Sequence, residues 1–264
     1  DELEYGFKTS YEGQEEGTTF GGFVSGPISD TLGYRVAAEI QDINKFVEIA
    51  PGNPTAQPER GLENLITRVT FQWEPVDNFD ANLKINYNRQ RSDSLNSNLD
   101  IFCGGDGRAD PSVILGGALG GVPGFDLFEP THDCNVKDGK FVGPDGHPLL
   151  TSVPTGSPGE GRDIRLAYND TDTFFTRLEM NYALNESLNL TALVGYVDLD
   201  NEYNDTFNST GQLPDGSAAG LPAPFLNTLQ QTTFELRLAS NNDGAFNYQV
   251  GAFWEDRDIG HKTS

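Results

Sequence analysis

From Phe79 to Tyr87 the chain reads F-D-A-N-L-K-I-N-Y, which sets Phe79, Ala81, Leu83, Ile85 and Tyr87 on one face and Asp80, Asn82, Lys84 and Asn86 on the other. A period of two needs a strand with two unlike surfaces. The period returns in 174–182, 188–196 and 246–254, each time with an aromatic or branched residue closing both ends of the apolar face. This is how a membrane-spanning barrel strand is written.

Nine strands are expected, at 3–12, 18–28, 32–43, 62–73, 79–89, 174–182, 188–197, 232–239 and 246–256. Most match the roughly 9 to 11 residues of a tilted membrane strand. The expected fold is therefore all-β, an antiparallel up-and-down transmembrane β-barrel segment. Its connections alternate in kind. Residues 28–32, 73–79, 182–188 and 239–246 are tight turns rich in Asp, Asn, Ser, Gly and Pro, whereas 44–61, about 90–173 and about 198–231 are long loops. Short turns on the periplasmic side and long loops outside are the asymmetry of outer-membrane barrels; only 13–17 is short on the long side. The whole of 1–264 reads as one barrel domain.

Composition agrees without deciding. No stretch reaches the roughly 18 to 20 apolar residues of a membrane helix, so any membrane role rests on strands. The mean hydropathy of -0.47 is compatible with a barrel, since every second strand residue faces a wet lumen. A formal charge of -23, from 17 basic and 40 acidic residues, argues against nucleic acid as a partner. An acidic surface suits loops set among anionic lipopolysaccharide bridged by divalent cations, and equally suits a secreted protein.

Taking the aromatic-bearing phase as outward, towards outer-membrane lipid, places Lys8, Arg35, Glu39, Arg68, Lys84, Arg177, Glu179, Glu235, Arg237 and Glu255 in the lumen. On a lipid face a basic residue near the midplane would cost about 2 to 4 kcal/mol. The plain alternative is that these charges form the solvated face of soluble strands. Aromatics sort against that alternative: Trp73, Phe79, Tyr182 and Phe246 lie beside the short turns, and Tyr87, Phe174, Tyr196 and Trp254 at the opposite ends.

The longest loop carries both cysteines, Cys103 and Cys134, around a glycine-rich segment. A disulfide between them is expected of an oxidising compartment, and closing such a loop would stabilise it by about 3 to 4 kcal/mol. The alternative is a metal site with His132 and His147, although the spacing fits no compact zinc pattern. Asp198, Asp200 and Asp205, with Asn201 and Glu202, could supply oxygen ligands to calcium, but the EF-hand glycine and terminal glutamate are missing. No other cofactor is expected. Sequons at Asn169, Asn189 and Asn204 read as chance matches. The three histidines, His132, His147 and His261, lack a nucleophile at any recognised spacing, so an enzyme is not expected.

The wording of three segments adds a family resemblance. V-S-G-P-I-S-D-T-L-G-Y-R-V-A-A (24–38), R-V-T-F-Q-W-E-P-V-D-N-F-D-A-N-L (68–83) and F-E-L-R-L-A-S-N-N-D-G-A-F-N-Y-Q-V-G-A-F-W-E-D (234–256) resemble barrel segments of TonB-dependent outer-membrane receptors. The resemblance spans nearly all the strand regions and stops in the long loops. It implies a barrel of about 22 strands filled by a plug, which imports a scarce nutrient with energy from the TonB complex. The small-molecule substrate would be a metal chelate such as a siderophore, a vitamin or an oligosaccharide. No plug-like or TonB-binding segment precedes Leu3, and nine strands cannot close such a barrel, so the resemblance implies that 1–264 is a partial barrel, an early part of the whole, in the outer membrane of a Gram-negative bacterium. The alternative is a passive porin or an anchoring outer-membrane barrel; a plug encoded upstream would separate the two.

Overall fold

The structure, a computed structural model, describes residues 2–14, 16–47, 60–92, 153, 155–162, 168–212 and 218–263, without the side chains of 45–47, 60 and 205–223. Nine strands form one sheet: β1 (Glu4–Glu12), β2 (Gly17–Ser29), β3 (Leu32–Val47), β4 (Arg60–Val76), β5 (Phe79–Ser92), β6 (Tyr168–Asn185), β7 (Leu188–Gln212), β8 (Ala218–Ser240) and β9 (Gln249–Thr263). Their spatial order is their sequence order, and every neighbouring pair is antiparallel. No described residue lies in a helix. The up-and-down arrangement is the one expected, and β1 and β9 are the two edges.

Strand length departs from expectation at one end. The loop expected over about 198–231 is mostly ladder: β7 continues to Gln212, β8 starts at Ala218, and register runs unbroken from Leu188↔Ser240 to Asn208↔Gly220. β6 likewise begins at Tyr168, six residues before Phe174. Hydrogen bonding between paired backbones holds these extensions. On the aromatic-bearing side Asp170, Asp172, Asp198, Asp200 and Glu202 stand where apolar residues stand lower down, so the outward alternation that marks a membrane strand is missing from them. β9 begins at Gln249 rather than Phe246, which leaves Phe246 in the preceding connection.

The short turns gather at one end. Thr31 O accepts from Glu74 N, Asn78 O from Ala183 N and Ser187 O from Asn241 N, each at 2.8 Å, so successive turns are tied side by side. Asn185 Oδ1 accepts from Ser187 N at 2.9 Å, the local bond that makes Asn a turn former.

Register settles which side chains share a face. Tyr34, Phe71, Leu83, Leu178, Val194, Phe234 and Trp254 are successive cross-strand partners in one row across β3 to β9. This apolar face is uncovered: Phe7 is 80% exposed and Trp254 54%. A water-soluble sheet does not leave such an area bare.

The apolar face is also a tilted band. Its upper limit runs through Tyr11, Phe20, Ile40, Leu65, Tyr87, Phe174, Tyr196, Phe234 and Trp254, and the next residue on that face is polar or charged in β3 to β7 and β9 (Asp42, Glu63, Arg89, Asp172, Asp198, Asp256). Lys262 stands in register with Tyr11, so between β1 and β9 the limit has slipped about eight residues along the strands. Eight residues rise about 26 Å while eight strand spacings cover about 38 Å, which corresponds to a tilt of about 35°. That is the tilt of transmembrane barrel strands. From Phe79 to Tyr87 the band is about 22 Å tall once tilted, close to the roughly 25 Å of an outer-membrane barrel.

Candidate functional site

All ten charged residues assigned to the lumen from sequence occupy the face opposite the aromatics. Lys84 is the partner of Arg177, Thr233 of Glu255, and Arg68 of Asn86. The face is layered. At the short-turn end, Asp80 and Glu179 both accept from Asn181 Nδ2, at 3.1 and 3.5 Å. Above them Arg177 pairs with Glu179 and Arg237 with Glu235, while Lys8 reaches Glu39 across β2. Arg257, not singled out from sequence, pairs with Glu255.

Nearer the long-loop end comes a row without acidic side chains. Ser10, Thr19, Gln41, Asn64, Gln90, Thr171, Asn201, Asn227 and His261 are successive register partners, so one row crosses all nine strands with an uncharged hydrogen-bonding side chain on each, apart from the histidine. Asn201 Nδ2 donates to Asn169 Oδ1 at 2.6 Å and to Thr171 Oγ1 at 2.8 Å. Asn227 Nδ2 reaches Asn201 Oδ1 at 3.4 Å, and Asn227 Oδ1 lies 2.6 Å from His261 Nδ1. The Asn64 Oδ1 atom is buried without a partner, an acceptor facing this row. One step farther out, Tyr203 stacks on Phe225 at 5.0 Å between centroids and Phe225 on His261 at 5.7 Å. Amides beside a flat aromatic stack can hold a ligand with both polar edges and flat faces.

The amide row was hidden in sequence because it exists only through register. Tyr203 and Phe225 fell inside an expected loop. A signal was present: N-x-Y at 201–203 and F-x-N at 225–227 are mirror images, as two antiparallel strands sharing a face require.

On the aromatic-bearing side, the strand ends above the band carry charge. Asp170 is directly opposite Glu202 and Asp172 opposite Asp200, arrangements that repel. Arg91 pairs with Asp172 and lies 3.8 Å from Asp170, while Arg162 pairs with Asp170 and lies 3.7 Å from Glu202. Burial would raise the Asp172 carboxyl, but hydrogen bonds from Tyr87 and Arg91 and the nearby guanidiniums hold it below the usual range. Burial and the hydrogen bond to Glu202, at 2.8 Å, push the Tyr168 phenol well above its ordinary value. Segment 155–162 folds over these ends, with Gly159 N donating to Glu202 Oε1 at 2.9 Å. Gly156 and Gly161 there have φ of 84° and 77°, a conformation that favours glycine.

The calcium candidates are strung along β7 rather than gathered in a loop. Asp198 and Asp200 lie two residues apart on the aromatic-bearing side, Asp198 accepts from Gln230 Nε2 at 3.4 Å, and Asp205 pairs through its backbone with Ala223. No group of three His, Cys, Asp or Glu that could hold a metal occurs among the described residues. Cys103, Cys134, His132 and His147 lie outside the described residues.

Comparison with known proteins adds the decisive observation. No family model matches the chain, and no curated protein matches it. Solved structures do. The ferric yersiniabactin uptake receptor FyuA from Yersinia pestis superposes with a TM-score of 0.59 at 15% identity, covering 98% of this chain and 31% of that one. The fold is that of part of an outer-membrane β-barrel. The ferric preacinetobactin receptor BauA from Acinetobacter baumannii gives 0.58 at 8% identity over 99% and 31%, and the siderophore receptor PirA from the same organism 0.50 at 15% over 97% and 30%. The chain thus spans about a third of the length of each of these three receptor chains.

Proposed function

We propose that this chain is part of the wall of a TonB-dependent receptor in the outer membrane of a Gram-negative bacterium, importing a small nutrient such as a metal chelate. The observation that carries the reading is the sorting of the two faces: a tilted apolar band about 22 Å tall on one side and a layered polar surface on the other. The fold shared with siderophore receptors supports it. The apolar face meets lipid and the polar face lines the lumen. Arriving solute first meets the row from Gln41 to His261 and the Tyr203–Phe225–His261 stack, at the outer mouth. The wall binds and guides and carries out no chemistry, and energy for import comes from the TonB complex.

The test uses the complete protein in its own host. A deletion strain is complemented with the wild type or with the double variant Asn201→Leu, Phe225→Ala, and radiolabelled ferric chelates are offered with and without a functional TonB complex. The reading expects TonB-dependent uptake of one chelate that the double variant loses while the protein still partitions with the outer membrane. Uptake independent of TonB would instead make this a passive barrel.

A further inference from the structure

Below the amide row, the polar face of β3 to β6 collects four cations, of which three make no ion pair among the described residues: Glu39 on this face pairs with Lys8, and Glu179 with Arg177. Arg35, Thr70, Lys84, Arg177 and Gly195 are successive register partners in one row, and Arg68 lies two residues above Thr70 on the same face. Among the described residues, Arg177 alone of these has a carboxylate partner, Glu179. Arg68 Nε donates to Asn86 Oδ1 at 2.7 Å, and Arg35 donates to Ser25 Oγ at 3.5 Å with its guanidinium 3.7 Å above the Phe23 ring. Lys84 has no ion-pair partner among the described residues, and it sits directly opposite Arg177, where like charges destabilise a sheet. By contrast, the opposed acids Asp170 and Glu202 on the other face share an arginine. The chain has 17 basic residues against 40 acidic ones, so leaving three neighbouring cations uncompensated is a local concentration against the overall charge.

Glycines on this face let larger neighbours close in. Gly195, the register partner of Arg177, has no side chain, and Thr233 Oγ1 lies where its Cβ would be, within 2.7 Å. At the other end, Gly6 leaves room for the Phe23 ring beneath Arg35; a Cβ would come within 2.7 Å of it. Three guanidiniums and an ammonium, one on each of four strands, suit a small solute carrying two or three negative charges. Low-dielectric walls strengthen such an attraction.

We propose that Arg35, Arg68, Lys84 and Arg177 form an anion-binding station in the lumen, taking a multiply charged carboxylate-type solute on its way inward. This rests on the receptor reading and narrows its substrate class to anions. The test is isothermal titration of citrate into the full-length protein in lipid nanodiscs, for the wild type, Lys84→Gln, Lys84→Gln with Arg68→Gln, and Arg237→Gln, whose arginine is paired with Glu235 outside the station. The expected result is saturable citrate binding that weakens with added salt, falls about tenfold in Lys84→Gln and further in the double variant, and is unchanged in Arg237→Gln. Heat-modifiable mobility confirms that each variant is folded. Equal affinity in all four proteins would overturn the proposal, as would no citrate binding by the wild type, a result assigning these cations to an acidic segment of the protein itself. A wild-type protein that fails to partition with the outer membrane overturns the receptor reading too; absence of citrate binding by the inserted wild type overturns only the station.

Discussion

The stretch of β6 from Phe174 to Tyr182 and the stretch from Tyr168 to Thr173 belong to one continuous strand, yet they are written differently. In the first, Phe174, Leu178, Met180 and Tyr182 alternate with Phe175, Arg177, Glu179 and Asn181, with Thr176 the one polar residue on the apolar side. In the second, Asp170 and Asp172 alternate with Asn169 and Thr171, so both faces are polar. The backbone ladder is the same in both, from Tyr168↔Asn204 to Ala183↔Asn189. Period-two hydrophobicity therefore reports where a strand meets lipid, and its loss marks the bilayer boundary rather than the strand end.

The strongest way to break this comparison is to place a charge in the band. Leu83→Arg, in the middle row of the apolar face, is expected to destabilise the inserted protein by about 2 to 4 kcal/mol, read from urea unfolding in lipid vesicles. Asn88→Arg, two strand positions above Asn86 on the polar face, is expected to cost far less. Equal losses would mean that the two faces do not differ in environment.

A smaller effect is expected above the band. Phe225→Ala removes both stacking contacts of the Tyr203–Phe225–His261 group and is expected to cost about 1 kcal/mol, without changing heat-modifiable mobility. A loss as large as that of Leu83→Arg would place Phe225 in the structural band.

Smaller still is Arg162→Ala. Its side chain is 40% exposed, so its ion pairs to Asp170 and Glu202 are worth less than about 1 kcal/mol. Faster amide exchange at Gly159 is the expected signature, with an unchanged melting temperature.

Acid gives the finest test. In the folded protein, against the effect of burial, the hydrogen bonds from Tyr87 and Arg91 hold the Asp172 carboxyl below the ordinary carboxylate value of about 3.8. Its contribution is therefore present above about pH 3.8 and disappears as pH falls through the lower folded value. Asp172→Asn should remove a small part of the acid-induced loss of melting temperature; an unchanged difference between neutral and acid pH would contradict the Tyr87–Asp172–Arg91 contact.

What was legible in the sequence follows the same division. The band was readable because lipid on one side and charge on the other force alternation, so Phe79 to Tyr87 matched to the residue and the ten polar-face charges fell together. Residues 198–212 and 218–231 give no membrane-strand signal because Asp198, Asp200 and Glu202 interrupt the apolar series on the aromatic-bearing side, while Leu199 and Tyr203 stand on the other side with Asn201. The amide row was beyond reach for a different reason. It depends on how Gln90 registers with Thr171 across a long connection, and register is set by pairing rather than by any local pattern.

The most direct measurement of the central claim is a nitroxide scan of the full-length protein in lipid vesicles, in a background with Cys103→Ser and Cys134→Ser, one label at a time at residues 168–182. Collision with oxygen dissolved in the bilayer should oscillate with a period of two from 174 to 182, with maxima at 174, 176, 178, 180 and 182, and should flatten from 173 back to 168. Maxima at 175, 177, 179 and 181, or an oscillation continuing undiminished to 168, would contradict it.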